Sequence, residues 1–408
     1  MKNIRVVITG MGCITPIGCG IESFWNAAVA GTNGVRPITS IETTEYKTKV
    51  GGEVLDFNAD KFISTEKKSL MGRSSQFAIA ATQMAIKNSR LDLSQLNPFK
   101  IGISYGTTMG EPQILDKGIR FKYNTNSTES IPAGLSKQYP CCVIPANIAR
   151  EFNINGPVIM IPTACAAGNY AIGYGFDQIK LGKADIIITG GSDPFSSIAF
   201  TGFNRLLATT PDVCRPFDAR RNGMAVSEGC GSLVIENLEH AAKRDAPIYA
   251  EILGYGLACD AFKMTIPDPE GGGGIIAMNK AIKQADIAKE EIDYICAHGT
   301  GTVENDKSET IIAKEVFGKK AYDIPMSSVK SMLGHTMGAA SAIEVIACVL
   351  MIENNTILPT INYKNSDPLC DLDYVPNIAR ETEIKTVVSN AYAFAGNTSS
   401  IILRKYEG

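Results

Sequence analysis

The sequence predicts an α/β protein made of two duplicated, layered halves, and three observations support this. Short apolar, β-branched runs alternate along the whole chain with longer segments of helical period. The same order of runs occurs twice, which indicates an internal repeat. With 45% hydrophobic residues, 20% charged residues and 38 glycines among 408 residues, the composition is that of a compact globular protein. We expect the halves to span residues 1–250 and 251–408.

Each half contains five strand patterns. They are "IRVVITG", "IGISYGTT", "VIMIPT", "DIIITGG" and "GSLVIEN" in the first half, and "IYAEILGYG", "IDYICAHGT", "IPMSSV", "TVVSNAYAF" and "SSIILRK" in the second. The helical segment "AATQMAIKNSRLDLSQL" precedes "IGISYGTT" just as "AMNKAIKQADIAKEEI" precedes "IDYICAHGTGT". In each half the next strand runs into a small-residue helix, "ACAAGNYAIGYG" and "MLGHTMGAASAIEV". This matching order strengthens the prediction of a repeat.

The charge and the cysteine pattern argue against several classes of protein. A net charge of −3 gives no support for a nucleic-acid partner. The 11 cysteines have no regular spacing and no histidines at metal-ligand intervals, so we expect neither a metal site nor a disulfide framework. The start, "MKNIRVVITGMG", enters a strand pattern at once, and we expect no apolar run of membrane-spanning length. We therefore expect a soluble, cytoplasmic protein with no membrane partner.

Cys165 lies where a strand pattern meets a helix start, in "VIMIPTACAAGNYAIG". Unpaired backbone N–H groups and the positive end of a helix dipole favour the thiolate at such a junction. The alternative is a small buried hydrophobe, the usual state of a free cysteine. Duplication would bring equivalent junctions together, with His335 at the second junction and His298 at the tip of a neighbouring strand. The third histidine, His240, lies in a charged helical segment, and we expect it at the surface.

A thiolate beside two histidines suits acyl transfer, because sulfur is a good nucleophile and a good leaving group. The histidines can donate N–H groups to an oxygen whose negative charge grows. Lys330 lies five residues before His335 and Glu344 nine residues after it, close enough to tune the site. Glu344 lies in the apolar run "AASAIEVIACVLMIE", where a charge needs a partner.

Two further motifs allow two interpretations each. Thr300 and Thr302 in "AHGTGTVENDKSE" can hold a polar, amide-bearing ligand or can cap the following helix. Phe394 lies among small residues in "SNAYAFAGNTSS", where an aromatic ring fits either a core position or a movable plug over an apolar tunnel.

Six ordered segments resemble the motifs of one family. They are "VVITGMGCITPIG", "GPVIMIPTACAAG", "RPFDARRNGMAVSEG", "AHGTGTVENDKSE", "SVKSMLGHTMGAA" and "SNAYAFAGNTSS". Through them the chain is similar, over essentially its whole length, to β-ketoacyl-(acyl carrier protein) synthases of the elongating, type II class. This resemblance implies the thiolase-like fold with α-β-α-β-α layers. The first half would carry the nucleophile and the second half the two histidines.

The resemblance implies a role for each residue of the central site. Cys165 would accept the acyl group, and His298 and His335 would assist the decarboxylation of a malonyl unit. Lys330 would lie near the second histidine, with Glu344 as its buried partner.

It also implies roles around this centre. Asp306 and Glu309 would be a structural acidic pair, and Thr300 and Thr302 would hold the phosphopantetheine arm. Phe394 would be the gate, and its backbone N–H would form an oxyanion hole together with that of the nucleophile.

The partners follow from the same resemblance. Malonyl and acyl thioesters would arrive on an acyl carrier protein that brings its own 4'-phosphopantetheine, so no resident cofactor is expected. Because carrier proteins are acidic, we expect basic docking residues, with Lys67, Lys68 and Arg205 as candidates. The family forms dimers beside the nucleophile helix, which implies either a homodimer or a heterodimer with a related subunit.

The chain departs from the family pattern at the gate, where the usual Gly-Phe-Gly-Gly-Thr-Asn is Ala-Phe-Ala-Gly-Asn-Thr at residues 393–398, and at Val303, which replaces a proline. Fatty-acid elongation and type II polyketide synthesis share every catalytic motif, so both remain open. A non-catalytic chain-length factor would lack the nucleophile that is present here. A thiolase would carry a second cysteine in "SNAYAFAGNTSS", which this chain does not have.

Overall fold

A computed structural model describes residues 4–127 and 133–408. Its strands, in chain order, are β1 (Val6–Thr15), β2 (Gly18–Cys19), β3 (Arg36–Pro37), β4 (Val50–Gly51), β5 (Ile101–Gly106), β6 (Val158–Ile161), β7 (Ile186–Asp193), β8 (Gly229–Asn237), β9 (Ala250–Cys259), β10 (Tyr294–Cys296), β11 (Met326–Ser327), β12 (Thr356–Ile357), β13 (Arg380–Glu381), β14 (Thr386–Tyr392) and β15 (Asn397–Arg404). All ten strand patterns of the sequence correspond to strands of this set.

The α-helices are α1 (Ile21–Val29), α2 (Thr65–Ser69), α3 (Arg73–Asn88), α4 (Pro112–Thr125), α5 (Ala133–Gln138), α6 (Val143–Phe152), α7 (Ala167–Lys180), α8 (Ser197–Arg205), α9 (Leu238–Lys243), α10 (Gly272–Ala285), α11 (Val303–Phe317), α12 (Lys330–Leu333) and α13 (Ala340–Asn354). Short 3-10 helices occupy Ala59–Lys61, Leu93–Gln95, Pro98–Lys100, Ala164–Ala166, Lys289–Glu291, Gly318–Tyr322, Met337–Ala339 and Phe394–Gly396.

The strand order repeats between the two halves. In the first half it is β1-β8-β7-β5-β6, and in the second half β9-β15-β14-β10-β11. Counted along the chain, both orders are 1-5-4-2-3, with two antiparallel pairings followed by two parallel ones. The internal repeat is therefore confirmed. The boundary at residues 250 and 251 stays a prediction, and β9 begins at Ala250.

Helices cover both faces of each half, which produces the predicted five layers. Helix α3 packs on the outer face of the first half, and α10 packs on the outer face of the second. Helices α7 and α13 form the central layer, where each contacts strands from both halves. The largest apolar cluster lies in this central layer and includes Ile172, Phe176 and Ile346. A mixed sheet covered on both sides confirms the predicted α/β class.

Helix α13 corrects the prediction that no apolar run is long enough to cross a membrane. Together with the 3-10 turn before it, it forms an 18-residue apolar helix, Met337–Asn354. Of this stretch 89% is buried inside the protein, so the helix belongs to the core. It is apolar on most of its surface because it packs between strands of both halves.

His240 is not the solvated surface residue that the sequence suggested. Its Nδ1 atom contacts the carboxylate of Glu236, which is fully buried on β8. The same carboxylate accepts hydrogen bonds from Thr9 Oγ1 at 3.0 Å and from the guanidinium of Arg244. His240 therefore helps to satisfy a buried charge at a place remote from the other two histidines.

We expect Gly168→Ala to destabilise the protein, because α7 and α13 touch at this residue. A Cβ atom at Gly168 would lie 2.7 Å from the backbone nitrogen of Ala342. Separating the two helices should lower the free energy of unfolding by about 2 kcal/mol, measured by urea denaturation. Gly118→Ala in α4 is the matched control, since a Cβ there meets no atom within 4 Å. That change should stabilise the protein by about 0.5 kcal/mol. Equal effects of the two substitutions would contradict the close packing.

Candidate active site

Cys165, His298 and His335 line a single cavity of about 300 Å³. The cysteine belongs to the first half and lies between β6 and α7, whereas both histidines belong to the second half. Helices α7 and α13 begin side by side, since the backbone N–H of Asn169 donates to Ser341 Oγ over 3.0 Å. The duplicated fold thereby brings the three side chains to one place.

Burial determines the protonation of Cys165, whose residue is 6% exposed. Burial raises the pKa of its thiol to about 12, although the charge of Lys330 and the thiol's own backbone N–H act in the opposite direction. The expectation that the helix start favours a resting thiolate is therefore wrong. Loss of hydration outweighs the helix position, and the sulfur rests as a thiol.

The two histidines lie edge to face, with ring centres 5.4 Å apart and an interplanar angle of 83°. Burial and the positive charge of Lys330 lower the pKa of both rings well below the usual value, so both are neutral at pH 7. The N–H of Met337 donates to His335 Nδ1 over 3.2 Å, and Lys330 Nζ lies 3.3 Å from His298 Nδ1. Because both Nδ1 atoms face donors, each ring carries its proton on Nε2. The pair thus offers two neutral N–H donors.

Lys330 and Glu344 form a buried ion pair behind these rings. Each residue is 1% exposed. Burial raises the pKa of Glu344 to about 7, although its contact with Lys330 lowers it. This pair explains why a carboxylate occurs within the apolar helix α13, and it holds the lysine against His298.

Asp306 in the first turn of α11 and Glu309 in its middle are both buried, and they hold the loop that carries His298. Glu309 accepts hydrogen bonds from the N–H groups of His298 at 2.7 Å and Gly299 at 2.8 Å. Asp306 accepts from the N–H of Gly301 at 3.2 Å. Burial raises the pKa of Glu309 to about 8. These bonds are what a structural acidic pair would make.

Thr300 and Thr302 line the cavity, and their hydroxyl oxygens lie 2.9 Å apart. Thr302 is the N-cap residue of α11, yet its side chain makes no capping hydrogen bond. Thr302 therefore does not cap α11, whereas Thr300 Oγ1 accepts a hydrogen bond from the N–H of Thr302 over 3.4 Å.

Phe394 also lines the cavity, where its ring packs against Phe203 with centres 5.5 Å apart. The following residue, Ala395, has φ 62° and ψ 13°, a left-handed conformation that a Cβ atom disfavours by about 1 kcal/mol. The backbone N–H of Phe394 donates to no other backbone group in the described ranges. The ring thus sits on a strained loop that lines the same cavity as the thiol.

Sequence reasoning missed Asp193, which is buried at the end of β7. Its carboxylate accepts hydrogen bonds from Thr107 Oγ1 at 2.7 Å and from the N–H groups of Thr108 at 2.7 Å and Gly338 at 2.6 Å. Burial raises its pKa to about 6. An acidic residue at the carboxyl end of a strand that begins with an apolar run, Ile186–Ile188, was the signal that could have identified it.

The loop between β9 and α10 was missed as well. Asp260, Lys263 and Thr265 from this loop line the cavity. The sequence "DAFKMTIPDPEGG" follows a strand and is rich in proline and glycine, which marks a loop at the sheet edge where sites are built.

The three basic docking candidates lie in different surroundings. Arg205 ends α8, is exposed, and lies next to Leu206, which lines the cavity. Lys67 pairs with Glu151 at 2.7 Å and Lys68 pairs with Asp60 at 2.5 Å. The lysines do not line the cavity. The structure thus places one of the three candidates beside its mouth.

Within residues 4–127 and 133–408, no group of three His, Cys, Asp or Glu side chains is arranged to hold a metal ion. The described cysteines are all free thiols.

Comparison with known proteins identifies the family of this fold and site. The model of the β-ketoacyl synthase N-terminal domain matches residues 3–241, and that of the C-terminal domain matches residues 249–364. The 3-oxoacyl-[acyl-carrier-protein] synthase 2 of Staphylococcus aureus (strain MRSA252) is 38% identical over 424 residues, which cover 100% of this chain and 99% of the relative.

Solved structures agree with these matches. The ishigamide ketosynthase/chain length factor superposes with a TM-score of 0.96 at 42% identity and covers 99% of both chains. A type II polyketide ketosynthase bound to the hexaketide, in complex with its acyl-carrier protein, superposes with a TM-score of 0.92 at 32% identity and covers 99% of this chain and 100% of the other. The matches cover the whole length of the chain, which therefore belongs to the β-ketoacyl synthase family.

Proposed function

We propose that the protein is an acyltransferase of the 3-oxoacyl-(acyl carrier protein) synthase type. It would join malonyl-carrier protein to an acyl group held as a thioester on Cys165. The observation that carries the proposal is the meeting of one thiol and two neutral imidazoles in a single cavity. Membership of the β-ketoacyl synthase family and the names of the relatives support it.

In the first step, the sulfur of Cys165 attacks the carbonyl of a carrier-bound acyl thioester. The backbone N–H groups of Phe394 and Cys165 would hold the oxyanion. The bond to the carrier thiol then breaks, and that thiol leaves with the proton of the cysteine. Because the resting thiol has a pKa of about 12, the charge of Lys330 is needed to make its deprotonation easier as the attack proceeds.

In the second step, the Nε2–H groups of His298 and His335 donate to the thioester carbonyl of the malonyl unit. Loss of CO₂ leaves an enolate, whose oxygen these two donors stabilise without adding a positive charge of their own. The enolate carbon attacks the acyl carbonyl on Cys165, and the cysteine sulfur leaves and regains a proton from solvent. The product is a β-ketoacyl thioester two carbons longer, still on the carrier protein.

We also propose that Thr300 and Thr302 hold the arm that delivers these thioesters. Both residues line the cavity, and the side chain of Thr302 does not cap α11. The 4'-phosphopantetheine arm belongs to the carrier protein substrate, so the enzyme would need no cofactor of its own. A cytoplasmic location is consistent with an apolar helix that is buried in the core.

The proposed assembly is a homodimer or a heterodimer with a related ketosynthase-like subunit. Strand β6 ends the sheet, and Val158 on it is 42% exposed. An edge strand of this kind offers unpaired backbone groups to a second chain. It leads directly into the turn that carries Cys165, so an interface here would border the site.

Fatty-acid elongation and type II polyketide synthesis both fit this chemistry. Identity to the 3-oxoacyl-carrier-protein synthase 2 is 38%, and identity to the ishigamide ketosynthase/chain length factor is 42%. A non-catalytic chain-length factor is the less favoured candidate, because Cys165 and both histidines share one cavity.

Separating the two half-reactions tests these roles. Cys165→Ala should form no acyl adduct by intact-mass analysis and should lower condensation at least about a thousandfold, while it still decarboxylates malonyl-carrier protein. His298→Ala should form the adduct but decarboxylate roughly 100-fold more slowly, because one oxyanion donor is lost. Cys142→Ala, which removes an exposed thiol, is the control. An acyl adduct on the Cys165→Ala protein would contradict the proposal.

The raised pKa of Cys165 predicts how its alkylation depends on pH. Because the pKa is about 12, the thiolate fraction should grow about tenfold for each pH unit from 6 to 9. The rate of iodoacetamide labelling at Cys165, followed by peptide mass spectrometry, should rise with the same slope. A labelling rate that stops rising with pH anywhere between pH 6 and 9 would show that the site favours the thiolate.

Arg205 should contribute more than Lys67 to the affinity for an acyl carrier protein. Arg205→Glu should weaken binding of an acidic carrier protein by about fivefold at low salt, with a smaller effect at high salt. Lys67→Glu should have less effect, because Lys67 is already paired with Glu151. Fluorescence anisotropy with labelled carrier protein measures both. An unchanged affinity for Arg205→Glu at low salt would remove Arg205 from the docking surface.

A further inference from the structure

Lys263 is the one lysine or arginine among the described residues that line the active-site cavity. Two carboxylates, Asp260 and Glu304, line the same cavity. Lys263 is exposed, and its ammonium lies 5.4 Å from the centre of the Phe262 ring. Within residues 4–127 and 133–408 it has no carboxylate partner within ion-pair distance. Its charge is therefore available to an anion that enters the cavity.

The backbone around Lys263 is anchored on both sides. The N–H of Asp260 donates to the carbonyl of Gly396 over 2.8 Å, and the N–H of Ala395 donates to the carbonyl of Met264 over 2.7 Å. These bonds fix the loop against the segment that carries Phe394. The position of Lys263 at the cavity is thus set by the fold, although its side chain is exposed.

Lys263 is the positive charge that this loop brings to the cavity. Met264 and Ile266 are apolar and exposed by 77% and 40%. The carboxylate of Asp260 accepts a hydrogen bond from the N–H of Asp268 over 3.1 Å and makes no ion pair with Lys263. A negatively charged group in the part of the cavity lined by this loop would therefore be attracted to Lys263.

We propose that Lys263 binds the phosphate of the phosphopantetheine arm, an inference that rests on the proposed function. The thioester end of the arm must reach Cys165, which is 6% exposed, through a cavity of about 300 Å³. A carrier protein is too large to follow, so the phosphate that joins it to the arm stays at the mouth. A lysine ammonium is a common point-charge partner of phosphate groups.

Two small thioesters that differ only in the phosphate isolate this contact from carrier docking. They are malonyl-phosphopantetheine and malonyl-pantetheine. Lys263→Gln should raise KM for the phosphate-bearing compound about fivefold at low salt, with kcat unchanged, and should leave KM for the phosphate-free compound as it was. Lys263→Arg should retain most of the affinity. Lys87→Gln, at an exposed lysine on α3 that does not line the cavity, is the matched control.

Equal effects of Lys263→Gln on the two thioesters, or no effect on either, would overturn the inference. A failure of the proposed function is distinguishable, because the wild-type protein would then form no acyl adduct on Cys165 when it is incubated with an acyl-pantetheine thioester. In that case calorimetric titration with phosphopantetheine and with pantetheine still shows whether Lys263 contacts the phosphate. Loss of a phosphate-dependent difference in affinity in Lys263→Gln supports the contact, and a difference that persists in the variant contradicts it.

Discussion

The contact between the first turns of α7 and α13 is the constraint on which the site depends. Gly168 is placed so that a Cβ atom would collide with the backbone of Ala342, and the N–H of Asn169 bonds to Ser341 Oγ. Each helix follows the equivalent strand of its own half. Because the helices meet at their starts, the residues just before them meet too. A thiol from one half and imidazoles from the other thereby reach one cavity with no loop of unusual length.

Inside that cavity one buried cation affects three groups in different ways. Lys330 lowers the pKa of Cys165, which favours the thiolate, and lowers the pKa of His298 and His335, which keeps them neutral. Both effects suit a reaction in which negative charge appears first on sulfur and then on an enolate oxygen. Glu344 offsets the cost of burying this cation by forming an ion pair with it.

Much of this arrangement could be predicted from sequence, because it depends on local pattern and on order. The ten strands that build the two halves correspond to bounded runs of apolar residues, and Cys165, His298 and His335 lie at ends of strands or starts of helices. The two-residue strands outside these ten, such as β3 and β12, carry no such pattern. The pKa of the Cys165 thiol depends on desolvation by distant chain segments. The strand-to-helix junction alone therefore predicted a lowered pKa, whereas burial raises it. Asp193 was missed because its partners lie about 85 and 145 residues away in sequence.

The repeated strand order has a consequence for biosynthesis. The central helices pack against strands of both halves. When the first half has left the ribosome, α7 is therefore covered on one side only. Ile172 and Phe176 on that helix are buried in the finished protein within a cluster that includes Ile346 and Ile401 of the second half. Until those residues emerge, the nascent chain exposes an apolar surface to which chaperones can bind and through which the chain can aggregate. A fragment that ends near residue 250 would keep this face of α7 exposed permanently.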